Sequence, residues 1–369
     1  MTQPHLVVDI SAHGLGHLAQ VAPVLELLAQ RLPRLRLTVR SALPREQLAR
    51  RLAMPFTHVA VSHDVGAVMA HALTVERAAT RAALLRLHER WEERVEEEAR
   101  ALARLAPSLV LANVPYLSLA AARRAGIPAL ALCSLNWADI YDALFPGDAE
   151  LRAPLDAMRQ AYGSADAFLR PCPSMPMAWL GNALDIGPIA ARGRARRGEL
   201  CRLLGVAPDT RLALVSLGGV AHPPLAGRGE APGHWHFIEA KGRGAAVTDL
   251  ERLALPFHDV LASVDALITK PGYGLFVEAA AAAKPVLYLP RGDWAEEPVL
   301  VDWLRQVGCA EPLVAAELEG SLLAARLDAL LVRPAKPPVA ATGAAQAAQL
   351  LAPYLGAAQH PLATHCQPS

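Results

Sequence analysis

Short apolar segments that alternate with helical ones, twice over, constrain this chain more than any other feature. "LVVDI" (6–10) reads as a buried strand and "HLAQVAPVLELLAQRL" (17–32) as a helix with one apolar face. "LRLTVRS" is a strand, "PREQLARRLA" a helix and "FTHVAV" a strand. Residues 71–106 predict one long helical stretch. Leu84, Leu87, Trp91, Val95, Leu102 and Leu105 keep close to helical spacing, and Glu92, Glu93, Glu96 and Glu97 fall mostly opposite them as a solvated face. "SLVLAN", "PALALCS" and "AFLRP" follow as strands, with "YLSLAAARRAG" as a helix between the first two. Strands alternating with helices imply a parallel sheet covered on both faces.

The texture changes at "IGPIAARGRARRG" (186–198), which is rich in Gly, Pro and Arg and has no apolar period. The alternation then restarts with "RLALVSLGG", "WHFIEA", "ALIT" and "PVLYLP" as strands. "GLFVEAAAAA", "EEPVLVDWLRQVG", "ELEGSLLAARLDALL" and "GAAQAAQLLAPYL" are the helices. The 369 residues exceed one ordinary core. The expected organisation is therefore a Rossmann-like domain over 1–185, a linker over 186–198 and a second Rossmann-like domain over 199–369. The last helix is expected to pack back on the first domain. Such open sheets bind ligands at the C-terminal edges of their strands, so two of them facing each other make a cleft.

Composition excludes several classes. A net charge of +1 argues against a nucleic-acid binder, whose affinity needs a basic excess. No apolar run reaches membrane-spanning length, and the chain enters "LVVDIS" without a signal peptide. Cys133, Cys172, Cys201, Cys309 and Cys366 are scattered and form no C-x-x-C pair, so the expectation is a reduced, cytoplasmic protein without cysteine-bound metal.

Three glycine turns stand at strand ends: "HGLGH" (13–17), "SLGG" (216–219) and "KPGYG" (270–274). Glycine there lets backbone approach a ligand, and a helix N-terminus beyond it offers free N–H groups to an anion. Any one of them could be a tight turn and no more. Neither G-x-G-x-x-G nor G-x-x-x-x-G-K-[ST] occurs, and no acidic residue ends the second strand, so a nicotinamide dinucleotide is disfavoured. His13 and His17 flank the first glycines, and a neutral imidazole can accept a proton. Lys270 is one of only four lysines (with Lys241, Lys284 and Lys336) among 36 basic residues.

"HGLGH", "ITKPGYGLFVEA" and "PRGDWAEEPVLVDWL", in that order, resemble the GT-B glycosyltransferases. The similarity extends over both halves. It is closest to the branch that holds the lipid II-forming N-acetylglucosaminyltransferase, the galactolipid synthases and the glycosyltransferase-like domain of plant arabinokinase. "SLNWADIY" (134–141) resembles an aromatic segment of the same proteins. The resemblance implies a GT-B fold and a transferase that takes a sugar from a nucleotide-sugar, a UDP-sugar, with inversion. The nucleotide-sugar is a co-substrate, and no further cofactor is implied.

By position, the resemblance places the diphosphate at Gly272, Tyr273 and Gly274, with Gly218 and Gly219 opposite and Lys270 adding charge. Glu278 would bind the ribose, and Phe257 and His258 would line the base pocket. Asp293, Glu296 and Glu297 would meet the donor sugar. His17, with His13 beside it, would deprotonate an acceptor held against Asn113, Trp137 and Asp139. The absence of any D-x-D fits a metal-free mechanism. Two departures stand out: Ala12 replaces a glycine before the first histidine, and Asn113 stands where many relatives carry aspartate. A nucleotide-sugar hydrolase and a non-catalytic nucleotide-sugar-binding module stay open beside the transferase. So do lipid, glycan and small-molecule acceptors, and peripheral contact with a membrane.

Overall fold

The structure, a computed structural model, describes residues 3–71, 73–217, 234–242, 246–318 and 320–356. Its first half runs β1 (His5–Ile10), α1 (Gly16–Arg31), β2 (Arg36–Arg40), α2 (Arg45–Ala49) and β3 (Thr57–Val59). A short antiparallel pair, β4 (Met69–His71) and β5 (Thr74–Val75), precedes α3 (Arg77–His88) and α4 (Trp91–Leu105). Then come β6 (Leu109–Asn113), α5 (Tyr116–Ala125), β7 (Ala129–Leu132), α6 (Trp137–Leu144), α7 (Arg152–Gly163), β8 (Ala167–Pro171) and β9 (Ala183–Ile186). The second half runs α8 (Arg197–Leu204), β10 (Arg211–Ser216), β11 (Trp235–Glu239), β12 (Val247–Asp249), α9 (Phe257–Ser263) and β13 (Ala266–Thr269). It ends with α10 (Tyr273–Ala281), β14 (Val286–Tyr288), α11 (Glu297–Val307), β15 (Ala310–Pro312), α12 (Gly320–Leu331) and α13 (Gly343–Leu351).

The described strands build two parallel sheets, ordered β3-β2-β1-β6-β7-β8-β9 and β12-β11-β10-β13-β14-β15. Strand order reverses between β1 and β6 in the first and between β10 and β13 in the second. In open sheets such reversals leave the crevice where ligands sit. The loop holding His13 follows β1, Asn113 ends β6, and Lys270 follows β13. The candidate residues thus gather at both switch points.

The single helix expected over 71–106 is not what forms. Met69–His71 and Thr74–Val75 are spent on the β4–β5 pair, and the helix breaks at Arg90, whose φ of −127° and ψ of 46° leave the helical region. Across the break His88 stacks on Trp91 at 4.7 Å and its Nε2 meets the Tyr116 hydroxyl at 2.9 Å. The turn lets α4 lie along α5 while α3 reaches α7, which one straight helix could not do. The sequence reading also passed over α6 and α7.

One apolar cluster runs through both halves. It joins Leu18 and Leu25 of α1 to Phe276 and Val277 of α10 and to Ala347 and Leu351 of α13. The start of α13 is locked to the end of the first half. The Gly343 N–H donates to the Pro188 carbonyl at 2.9 Å, and a side chain on Gly343 would begin 1.9 Å from the Gly187 oxygen.

Beneath the first sheet's C-terminal edge lies a buried charge quartet. Asp9 accepts from Arg40 at 2.5 Å and from His63 at 2.9 Å, and Glu98 closes the ring with both cations. Burial alone would raise Asp9, but Arg40 and His63 outweigh it and hold its pKa at about 2. For His63 burial works downward, and Asp9 and Glu98 overcome it, lifting the imidazole to about 9. The next residue, Asp64, accepts from the Trp137 indole at 2.7 Å, so the quartet fixes the loop that walls the candidate site.

Because His63 is at about 9 when folded against 6.5 ordinarily, the stability it contributes is complete below pH 6.5 and is lost as pH rises through 9. The melting temperature is expected to fall across that interval, and His63→Gln is expected to flatten the fall. A variant with the wild-type slope would assign the loss to another group.

Candidate functional site

The site begins where β1 ends. Gly14 turns the chain with φ of 75°, a left-handed conformation that glycine adopts freely. Helix α1 then starts at Gly16 and buries His17 in its first turn, 5% exposed. Ile10 and Asn113 are register partners on β1 and β6, which sets the His17 Nδ1 2.7 Å from the Asn113 Oδ1. The Cys133 Sγ lies 3.7 Å from the same nitrogen, and burial raises its thiol pKa. An amide oxygen only accepts, so Nδ1 carries the proton and Nε2 keeps its lone pair. Burial lowers the His17 pKa to about 4, against a small upward pull from Asn113, so the ring is neutral at pH 7.

Asn113 leads into a line of polar side chains. Its Nδ2 donates to the Gln20 Oε1 at 3.0 Å, and the Gln20 Nε2 donates to the Ser134 Oγ at 2.8 Å. The Ser134 hydroxyl donates to the Glu296 Oε1 at 2.6 Å, and the Trp294 indole N–H meets the Glu296 Oε2 at 3.3 Å. The line starts in the first half and ends in the second. Burial raises the Glu296 pKa, while its two donors and Arg291 pull it down.

His13 sits among aromatic rings. It lies edge-on to Trp137 at 5.5 Å and stacks on Trp294 at 5.5 Å and 17°. Its Nδ1 accepts from the Ala67 N–H at 3.3 Å, so its proton is on Nε2. Burial first, then the charges of His17, Arg291 and Lys270, lower its pKa to about 3. Lys270 is itself pulled down to about 8 by burial and by Arg291. Arg291 lies over the Trp294 ring at 4.1 Å, and its Nε and Nη2 are buried without a hydrogen-bond partner. An unmade hydrogen bond on a buried cation costs more than the usual 1–3 kcal/mol or so for a neutral group, so this guanidinium carries an unmet demand for acceptors.

The remaining candidates divide. Glu278 Oε1 accepts from Arg51 and from His258, each at 2.9 Å, while its Oε2 is buried and unpartnered. Arg51 also lies over the Phe257 ring at 5.7 Å, so Phe257, His258 and Glu278 do meet, around a first-half arginine. Asp293 keeps a buried oxygen without a partner. Trp137 is fully buried beside both histidines. Gly272 is extended, and a side chain built there would meet nothing nearer than the Lys270 carbonyl oxygen at 3.9 Å. Gly218 and Gly219 lie outside the described residues.

Several of the expected site residues are engaged by protein groups. Both oxygens of Glu296 already accept a hydrogen bond from protein, from Ser134 and from Trp294. Glu297 accepts from the Arg291 backbone N–H at 2.9 Å and so braces its own loop. The Asp139 carboxylate accepts from the side chain of Asn136, which caps α6, and from the Trp179 indole. The Tyr273 hydroxyl accepts from the Ile189 N–H at 2.9 Å and donates to the Cys172 carbonyl at 3.2 Å, pinning α10. Gly274 faces protein, since a side chain there would begin 3.1 Å from the Ala19 Cβ. Gln20, Arg51, Ser134, Arg291 and Trp294 were missed. Gln20 was the most legible of them, one turn after His17 on the same face of α1.

Overpacking at the α1–α10 contact should cost roughly 1–3 kcal/mol. Gly274→Val is therefore expected to lower stability in denaturant unfolding, and Ala19→Gly in the same chain to recover part of the loss. A Gly274→Val chain as stable as wild type would mean that the two helices are free to separate.

No family model matches the chain. In sequence it is 24% identical to the L-arabinokinase of Arabidopsis thaliana over 274 residues, 69% of this chain and 25% of that protein. The chain thus corresponds to a quarter of that relative's length. Among solved structures it is similar to CalG4, the calicheamicin glycosyltransferase, with a TM-score of 0.61, 20% identity, and coverage of 96% of this chain and 99% of that one. A UGT transferase from Siraitia grosvenorii in complex with UDP gives a TM-score of 0.56 at 12% identity, covering 94% and 98%. A putative UDP-N-acetylglucosamine 2-epimerase from Listeria monocytogenes gives 0.50 at 14%, covering 95% and 96%. With two parallel sheets, each reversing its strand order once, the chain has the GT-B fold seen in CalG4.

Proposed function

We propose that this protein is a glycosyltransferase that moves a sugar from a UDP-sugar to an acceptor hydroxyl, with inversion and without a metal ion. The observation that carries the proposal is the buried, neutral His17, whose Nδ1–H is held by Asn113 and whose Nε2 is left to accept a proton. In this reading Nε2 takes the hydroxyl proton as the acceptor oxygen bonds to the anomeric carbon. The bond from that carbon to the diphosphate breaks, and UDP leaves. Arg291, with two unmade hydrogen bonds, and Lys270 offset the negative charge that leaves with it. The arabinokinase match and the UDP bound to a structural neighbour support a nucleotide-sugar donor.

Fold alone does not decide the chemistry, as the epimerase neighbour illustrates. Incubation with a panel of UDP-sugars and candidate acceptors decides it. Acceptor-dependent release of UDP, unaffected by EDTA, is the expected result. Release without any acceptor would make the protein a hydrolase, and binding without turnover a sugar-nucleotide-binding module. His17→Ala is expected to lose about 10²–10⁴ in turnover and to bind UDP as wild type does. Arg291→Met is expected to weaken UDP while raising the melting temperature of the free protein, because it removes a buried cation with unmade hydrogen bonds. An unchanged UDP affinity in that variant would take Arg291 out of the donor site.

A further inference from the structure

Asn113 has two ends of nearly equal shape, and only one of them suits His17 as a base. With Oδ1 toward the ring, Nδ1 is protonated and Nε2 is free. With the amide turned over, Nδ2 would donate to Nδ1 and the proton would move to Nε2. An aspartate has no such ambiguity, since both its oxygens accept. Something other than Asn113 must therefore fix the orientation.

We propose that Glu296, in the second half, is a positioning residue that sets the tautomer of His17 through Ser134, Gln20 and Asn113. The proposal rests on the reading of His17 as the base. The contacts run one way: Asn113 to Gln20, Gln20 to Ser134, Ser134 to Glu296. Both oxygens of Glu296 act as acceptors, one toward the Trp294 indole and one toward Ser134, so the Ser134 proton must point to the carboxyl group. The Ser134 oxygen then has only lone pairs for Gln20, which must present its amide N–H. That turns the Gln20 oxygen to Asn113, which must answer with Nδ2. Its Oδ1 is thereby left for His17. Every link is buried, so a reversed link would leave two donors or two acceptors face to face without water to relieve them.

The same logic makes the device reversible. In Glu296→Gln the Trp294 indole N–H still needs an acceptor, so the new amide oxygen faces Trp294 and the new NH₂ faces Ser134. Ser134 then donates to Gln20, Gln20 to Asn113, and Asn113 to the His17 Nδ1. The proton moves to Nε2, four side chains away, with no change in shape. It also accounts for asparagine at 113. With Glu296 accepting from Ser134, an aspartate there would leave Ser134 with one proton for two acceptors. Asn113→Asp should therefore suit Glu296→Gln better than it suits the wild-type chain.

The test is the ¹⁵N spectrum of ring-labelled histidine in the full chain, which reports tautomers whether or not the protein is a transferase. Wild type should show His17 protonated at Nδ1. Glu296→Gln should show it protonated at Nε2, and Asn113→Asp added to Glu296→Gln should restore Nδ1–H. Ser134→Ala, which cuts the line, should give a mixture. In the transferase assay Glu296→Gln should lower kcat about 10²-fold with little change in KM, and Asn113→Asp should recover it. An Nδ1–H tautomer unchanged in both Glu296→Gln and Ser134→Ala would overturn the proposal, as would Nε2–H in wild type. A tautomer that switches in a chain with no transferase activity would uphold the relay and sink the base reading instead.

Discussion

With only 3.1 Å between the Ala19 methyl and the point where a Gly274 side chain would begin, α1 and α10 meet almost backbone to backbone. The approach lets the second half reach into the first. Trp294, which follows β14, is buried in an apolar cluster made mostly by β6, β7, α5, α6 and α7. Glu296, two residues on, comes within hydrogen-bond reach of Ser134. Were the helices a side chain's width further apart, His13 would lose its stacking partner and the polar line to His17 its terminus. Small residues at a crossing thus do for the site what no polar contact could do alone, because hydrogen bonds are distance-critical and apolar packing sets the distance.

Two kinds of buried charge lie within the same few layers, and they behave oppositely. Asp9, Arg40, His63 and Glu98 are compensated in pairs, so burial strengthens their attraction and keeps them ionised. His13 and His17 have no carboxylate partner, so the same burial drives them neutral. Lys270 and Arg291 are cations depressed by burial; Glu296, Glu297 and Asp293 offset part of this for Arg291, whose Nε and Nη2 nonetheless keep no hydrogen-bond partner. A compensated cluster is a structural device. An incompletely compensated one is a place where the fold tolerates a cost, and such places are where ligands find their partners.

Asn113 shows how a substitution can be read two ways. Set against relatives with aspartate, it looks like the loss of a charge behind the base. In the structure it keeps the hydrogen bond that orients the imidazole and gives up only the charge that would have raised its pKa. Gln20, Ser134 and Glu296 form the setting in which an amide suffices.

The sequence by itself determined the two-sheet architecture, because period-2 and period-3.6 apolar patterns are local and survive without knowledge of their partners. It also singled out the turns at His13, His17, Lys270 and Gly272, since glycine after a strand is a local conformational requirement. It failed at 71–106, where helical periodicity continued through Arg90 and only the packing of α3 and α4 on different neighbours broke the helix. It could not see that Gly274 serves a helix crossing, that Tyr273 pins a loop, or that Glu296 answers Ser134 across 162 positions. Those facts depend on which surfaces meet. Hydrogen-bond direction and burial are properties of assembled neighbours, so only the tertiary structure could decide which nitrogen of His17 is free.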